Sequence, residues 1–162
     1  MKPLLQNHPK TEPVDMNDVS RETVDFVVHD AAERGTRVQM NLYGAPVVVL
    51  GDRVHLQQVL VNLVLNSLDA LAHTPPEHRY VVVSTARHNS HAEVSVQDRG
   101  PGISAGAMRR MFEPFFSTKA EGLGMGLSIA RGIVEAHSGR IVAENNVDRG
   151  ATFRVFLPLR RI

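Results

Sequence analysis

The order of periodic segments predicts an α/β two-layer sandwich, in which a mixed, mostly antiparallel β-sheet packs against about three helices. Three observations carry that expectation. A long, strongly apolar helical run starts at Arg53, two alternating strand patterns (RYVVVSTAR and AEVSVQD) flank a short turn, and two further strand runs close the chain after another helical stretch. At 162 residues the chain has the size of one domain with its own core.

The opening residues, MKPLLQNHPKTEPVD, are polar and rich in Pro, so residues 1–14 read as a linker or leftover end. They lack the apolar run of a signal peptide and the length of a membrane span. Helical periodicity begins after Asp15 and places Val19, Thr23, Phe26, Val27 and Ala31 on one face, with Asp15 or Asn17 as cap and Gly35 as the stop. RVQMNLY and PVVVLG then read as strands separated by a turn around Gly44 to Pro46. Asp52 caps the second helix, from Arg53 to about Ala72, which is apolar almost all round and is expected to be buried on most sides. After Pro75 and Pro76 come the two alternating strands, joined as a hairpin around His88 to His91. A short helix follows from Ser104 to Phe112, then a helix from Leu127 to about His137 that stops at Gly139. The strands RIVAENN and ATFRVFLPL, around a turn at Val147 to Gly150, complete the chain.

Composition excludes several classes. Hydrophobic residues make up 43% and charged residues 22%, which argues against wholesale disorder. The net charge of +1 names no partner, and the pairs Arg109–Arg110 and Arg160–Arg161 are too short to form a nucleic-acid face. The absence of Cys rules out a disulfide framework and thiolate metal sites, and fits a reducing compartment.

Three constellations carry chemistry. The segment FEPFFSTKAEGLGMGLSIA places Gly122, Gly124 and Gly126 directly before a helix, where free N–H groups and the helix dipole favour an anion, with Lys119 just upstream as a movable cation. Read alone, the same glycines make an ordinary turn. On the second helix, His55, Gln58, Asn62, Asn66, Asp69 and His73 recur every three or four residues as a polar seam. Asn62 and Asn66 stand out within it, because two amide oxygens one turn apart suit a hard cation such as Mg²⁺. The third is DRGPGI, where Asp98 ends a strand and Gly100 and Gly102 leave room for a flat ring beside its carboxylate.

Five segments in order, NLVLNSLDA (62–70), DRGPGI (98–103), MFEPFFSTK (111–119), GLGMGLSIA (122–130) and GATF (150–153), resemble the ATP-binding catalytic domain of sensor histidine kinases. That superfamily also contains type II topoisomerases, heat-shock chaperone ATPases and the mismatch-repair protein MutL, and is known for the Bergerat ATP-binding fold. The resemblance covers about residues 14–159 and is greatest to the short-lid nitrogen-regulatory and oxygen-sensing kinases. It implies ATP and Mg²⁺ as cofactors. Asn66 would be the metal ligand, with Asn62 near the phosphates. Asp98 would receive the adenine amino group, with Gly100, Gly102 and Ile103 framing the base and Thr152 in the water network behind it. Lys119 and the lid backbone of Gly122, Leu123, Gly124, Met125, Gly126 and Leu127 would contact the phosphates. Phe112, Phe115 and Phe116 would dock the dimerisation domain that carries the phosphoacceptor His, with a response regulator downstream and no nucleic-acid or membrane contact by this domain. A cytoplasmic location follows from the same resemblance, the parent protein being either soluble or membrane-anchored.

The implied activity is transfer of the ATP γ-phosphoryl group to a His on a separate dimerisation domain. Hydrolysing relatives place a Glu base one turn before the metal-binding Asn. Here that position is Asn62, whose amide accepts no proton at neutral pH. A nucleotide-sensing module without phosphotransfer, and a serine kinase or ATPase of the same superfamily, are the alternatives. One departure stands out: where many relatives carry Lys or Arg three residues after the metal-binding Asn, this chain carries Asp69. Arg99 occupies the variable position of the Asp-x-Gly turn. His8 and His29 lack the sequence setting of a phosphoacceptor, so autophosphorylation of this chain alone is not expected.

Overall fold

The computed structural model describes residues 10–114, 116 and 126–161. Its elements follow in the order β1 (Glu12–Asp15), α1 (Met16–Glu33), β2 (Arg37–Asn41), β3 (Val48–Gly51), α2 (Arg53–Ala70), a 3₁₀ turn (Pro76–His78), β4 (Tyr80–Arg87), β5 (His91–Asp98), α3 (Ala105–Arg110), α4 (Gly126–Ala136), β6 (Arg140–Asn145) and β7 (Ala151–Pro158). Five strands form one sheet in the order β2-β4-β5-β7-β6, and β1 pairs with β3 in a separate two-stranded ribbon. Only the β2–β4 pairing in the large sheet is parallel.

Alternation decides which face of the sheet is the core. Val83 lies opposite Val96 and Val96 opposite Phe153, while Thr85, Val94 and Val155 form the next row across the same strands. All of these are buried, as period-two side chains on one face must be when helices cover it. α1 covers β2 and β4, α2 covers β4 and β5, and α4 covers β6. From α2 the residues Leu56, Val59, Leu60, Leu63, Val64 and Leu68 enter this layer, joined by Val19, Val27 and Ala31 of α1 and Val134 of α4. The opposite face carries charge, with Arg154 held between Glu93 and Glu144.

The helix boundaries follow from capping chemistry. Asp15 accepts the Asn17 N–H at 2.9 Å and Asp52 accepts the His55 N–H at 3.1 Å, so both expected caps form. Asn17 is buried instead of capping: its amide donates to the carbonyls of Tyr43 and Ala45, each at 3.0 Å, and thereby fixes the loop between β2 and β3. Ser104 caps α3 through the Ala107 N–H. α4 ends at Ala136, one residue short of the expected His137, and the left-handed residue that closes it comes one position before the expected glycine. Ser138 takes the left-handed conformation (φ 60°), while Ser138 N–H and Gly139 N–H close onto the carbonyls of Glu135 and Val134. His137, the residue before it, donates from Nδ1 to the Ile133 carbonyl and accepts the Asp52 N–H at Nε2, which ties the end of α4 to the start of α2.

Two expectations need correction. Residues 12–14 are not linker: they form most of β1, with Val14 buried opposite Val49. Phe26 is 69% exposed, because the α1 stripe that enters the core runs through Val19, Thr23 and Val27 and leaves Phe26 a third of a turn outside it. α2 is buried on most sides as expected, with Val54 72% exposed and Val61 and Leu65 only partly covered. The two strand runs on either side of Gly44 also part company, one joining the main sheet and the other the ribbon.

Candidate functional site

The same alternation that fills the core places a carboxylate at its edge. Ala92, Val94 and Val96 face the helices along β5, so Asp98, two residues further on, faces them too at the strand end. It is 2% exposed. A buried carboxylate needs hydrogen-bond donors. Asp98 Oδ1 accepts the Gly100 N–H at 2.9 Å and the Ala151 N–H at 3.3 Å. Among the described residues no backbone N–H is hydrogen-bonded to Oδ2. The buried Ser67 hydroxyl of α2 lies beside the carboxyl and favours its ionised form, yet completes no hydrogen bond of its own.

Burial pushes the Asp98 carboxyl above the ordinary aspartate value, against the opposing pull of the Gly100 and Ala151 N–H groups and Ser67. A raised folded-state value means that the native protein binds the proton more readily than the unfolded chain. Stability attached to this group is therefore greatest in acid, and declines as pH rises from the unfolded aspartate value through the raised one. Keeping Asp98 ionised at neutral pH costs the fold something, as expected of a group retained for another purpose.

The turn after Asp98 is held from three sides. Gly100 packs so closely on the end of α2 that a Cβ there would stand 3.0 Å from the Ala70 carbonyl oxygen. Asn145 clamps Ile103 reciprocally, accepting its N–H at 2.7 Å and donating to its carbonyl at 2.9 Å. Asn146 donates to the carbonyls of Asp98 and Arg149, both at 3.0 Å, and its own amide oxygen accepts the Thr152 hydroxyl at 2.5 Å. Arg149 adds a hydrogen bond from Nε to the Arg99 carbonyl. Gly102 adopts φ +84° within this turn.

On the other wall, the polar seam of α2 faces the start of α4. Asn62 donates to the Gly126 carbonyl at 3.2 Å, bridging 64 residues of sequence. Asn66 lies one turn further along α2, half-buried, next to Ser67 and therefore between the Asn62–Gly126 bridge and the Asp98 carboxyl. Leu127 packs against the core and Gly126 is exposed at the α4 N-terminus.

Asn62, Asn66, Asp98, Gly100 and Gly126 thus line one region between α2, the β5 end and the start of α4, and Gly102 and Ile103 continue it. Thr152 stands apart. In the β7 register it lies opposite Gln97 and Glu144, the face away from the Asp98 carboxyl, and it reaches Asp98 only through Asn146. Ala151, not Thr152, offers Asp98 its N–H. Phe112 packs edge-on against core Phe153 with ring centroids 6.5 Å apart, and Phe116 sits under the Arg110 guanidinium at 5.0 Å. Lys119, Gly122, Leu123, Gly124, Met125 and Phe115 lie outside the described residues.

Sequence reasoning missed Ser67, Asn145 and Asn146. Ser67 was hidden in an apolar helix run, and the Asn pair reads as the end of a strand entering a turn. The available signal was two amides directly before a glycine turn, where one donor can satisfy a distant carbonyl. Among the described residues no group of three or more His, Cys, Asp or Glu side chains could hold a metal, and no helix is long and apolar enough to cross a membrane.

Residues 51–161 match the family described as histidine kinase-, DNA gyrase B-, and HSP90-like ATPase. The chain is 44% identical over 128 residues to the sensor protein FixL of Bradyrhizobium diazoefficiens, covering 79% of this chain and 25% of that protein. It is 34% identical over 158 residues to the sensor protein TdiS of Thauera aromatica, covering 96% of this chain and 29% of that one. The chain thus spans about a quarter to a third of the length of these relatives. Among solved structures, a nucleotide-free catalytic domain of the histidine kinase ThkA superposes with a TM-score of 0.83 at 28% identity, over 93% of this chain and 96% of that one. The mycobacterial sensor histidine kinase MprB superposes at 0.80 with 27% identity, over 94% and 99%. The mixed sheet under three long helices is accordingly the Bergerat-type α/β arrangement of these catalytic domains. The chain belongs to the histidine kinase-, DNA gyrase B- and HSP90-like ATPase family, as the ATP-binding catalytic type of domain found in sensor histidine kinases.

Proposed function

We propose that this domain binds Mg·ATP in the region between α2, the β5 end and the start of α4, and transfers the γ-phosphoryl group to a His on a separate dimerisation domain. The observation that carries the reading is the Asp98 carboxylate, buried at the sheet edge with Oδ1 committed to two backbone N–H groups and Oδ2 left for a ligand donor. An adenine amino group is such a donor, and Gly100 keeps the space beside it free of side chain. The base end so defined puts the phosphates toward Asn66, Asn62 and the α4 N-terminus, whose free N–H groups suit them.

The donor set fits magnesium rather than a metal held by the protein alone. Asn66 offers one hard amide oxygen, and Mg²⁺ keeps most of its shell as water and substrate phosphate. Bound there, the ion supplies charge neutralisation on the transferring phosphoryl group. Asn62 orients groups at the phosphate end but takes no proton, which favours transfer to an imidazole, already carrying its lone pair, over attack by water. Lys119 and the backbone from Gly122 to Leu127 are assigned to the phosphates on the sequence resemblance, and Phe112, Phe115 and Phe116 to docking of the phosphoacceptor domain. A crystal structure of ThkA with the response regulator protein TrrA superposes on this chain with a TM-score of 0.79 at 25% identity, which supports a receiver domain as the next partner in the relay.

Incubation with labelled ATP and a separately supplied, His-bearing dimerisation domain tests the reading. Acid-labile, base-stable label on that domain is the expected result. No label, with ATP bound, would favour a nucleotide-sensing module, and acid-stable label a serine kinase. The raised Asp98 value gives a second expectation. Adenosine affinity, followed by calorimetry from about pH 8 to about pH 4, should begin to fall above the pH at which an exposed aspartate protonates. Adenosine is the probe because it carries no titrating phosphate.

A further inference from the structure

Ser67 stands in the buried stripe of α2, among Leu63, Val64 and Leu68, and is itself fully buried. A hydroxyl in such a place costs stability unless it is hydrogen-bonded. Helical Ser and Thr residues ordinarily meet that need by bonding back to the carbonyl one turn earlier. Ser20 and Thr23 of α1 do so, donating to the carbonyls of Met16 and Val19 at 2.7 and 2.8 Å. Ser67 does not, and among the described residues its Oγ has no hydrogen-bond partner. It lies instead beside the Asp98 carboxyl, on the side of α2 where Ala70, one turn on, receives the Gly100 turn.

A carboxylate offers about four acceptor positions, two on each oxygen. The Gly100 and Ala151 N–H groups use those of Oδ1. Two remain, and a buried oxygen with neither of them filled takes up a proton more readily than it carries charge. Once protonated, it would meet an adenine amino group donor to donor. The charged groups on the surrounding elements are engaged with one another: Arg99 pairs with Asp148, Arg149 is bonded to the Arg99 carbonyl, and Asp69 of α2 holds Arg34. β4 and β7 bring the uncharged Val81 and Ala151. The side-chain donor beside the carboxyl is Ser67, and it favours the ionised form against the burial that opposes it.

We propose that Ser67 is a positioning residue for base recognition: its hydroxyl donates to one of the two remaining acceptor positions of Asp98 and keeps the carboxylate an acceptor for the ligand amino group that takes the other. The ligand class is a 6-aminopurine nucleoside or nucleotide. A 6-oxopurine presents an acceptor at the same point and is rejected as long as the carboxylate is ionised. Such a role also accounts for a hydroxyl in an apolar stripe that alanine would fill at lower cost to the free protein. This inference rests on the Mg·ATP reading of the same site.

Calorimetric titration of the wild-type chain and of Ser67→Ala with adenosine and with inosine, at a series of pH values, tests it beside a thermal melt. Without ligand, Ser67→Ala should melt at or above the wild-type temperature, because an unpaired buried hydroxyl has been removed. It should nevertheless bind adenosine about three- to tenfold more weakly at neutral pH. As the pH is lowered, its adenosine affinity should begin to fall about one pH unit sooner than that of the wild type, since loss of the donor raises the Asp98 value further. The preference for adenosine over inosine should narrow across the same interval. A merely structural role would scale the affinity alike at every pH. An adenosine profile in Ser67→Ala whose onset coincides with the wild-type onset therefore overturns the inference while leaving the cleft intact. A wild-type chain that binds neither adenosine nor Mg·ATP overturns the nucleotide reading itself.

Discussion

Replacement of Asp98 by Asn is expected to leave the domain folded and to weaken ATP binding by about 2–3 kcal/mol, roughly 30- to 150-fold. The direction follows from which oxygen is already in use. Oδ1 accepts the Gly100 and Ala151 N–H groups, so the amide of the variant must keep its oxygen there, because turning its NH₂ toward two N–H donors would leave all of them unpaired. The NH₂ group then occupies the place of Oδ2 and presents a donor to the adenine amino group, also a donor. Removing the buried charge offsets part of any loss in fold stability, since burial already disfavours ionised Asp98. Calorimetry of the variant with ATP, beside a denaturant melt, reads both effects. Wild-type affinity in a folded variant would remove Asp98 from the binding site.

Gly150→Ala is expected to cost about 2–4 kcal/mol of stability and to abolish measurable nucleotide binding with it. Gly150 adopts φ +86°, and a Cβ there would lie 2.0 Å from the Asp98 carbonyl oxygen and 2.8 Å from Arg99 Cα. Both neighbours are backbone, so neither can swing aside. The methyl group must push the β7 entrance away from the Asp-x-Gly turn, and with it the Ala151 N–H that holds Asp98. Gly106→Ala in α3 provides the contrast: nothing lies within 4 Å of its Cβ position, so that variant should melt at or slightly above the wild-type temperature. Equal melting temperatures for the Gly150 variant and wild type would show that the turn yields more easily than its backbone contacts imply.

Local chemistry made most of the fold legible. Caps at Asp15, Asp52 and Ser104, the hairpin of β4 and β5, and the buried stripe of α2 all follow from interactions within a few residues. What escaped were pairings decided at a distance. β1 contains one inward apolar residue, Val14, in a Pro-containing polar stretch, and only its partner β3 makes it a strand. β2 joins β4 in parallel across the whole of α2, which no turn signal announces. Phe26 satisfied the helical spacing but not the direction of the α1 stripe.

The site divides in the same way. Asp98, Asn62 and Asn66 were legible because carboxylates at strand ends and amides on a buried helix demand a reason. The supporting shell was not. Asn145 and Asn146 act on Ile103 and Asp98 over more than forty residues. Thr152 is assigned by its motif; in the strand register it faces away from the Asp98 carboxyl and connects to the Asp98 carbonyl through Asn146, while Ala151 offers the carboxyl its N–H.

The most direct test of the central claim, that one cleft between α2, the β5 end and the α4 N-terminus takes Mg·ATP, is a titration of the isotopically labelled domain followed by amide and side-chain NMR shifts. Saturable changes at Asn66, Asp98, Gly100 and Ala151, with the Asn66 side-chain amide responding only when Mg²⁺ is present, are the predicted result. Shifts confined to other surfaces, with Asn66 and Asp98 unmoved at saturating nucleotide, would contradict it.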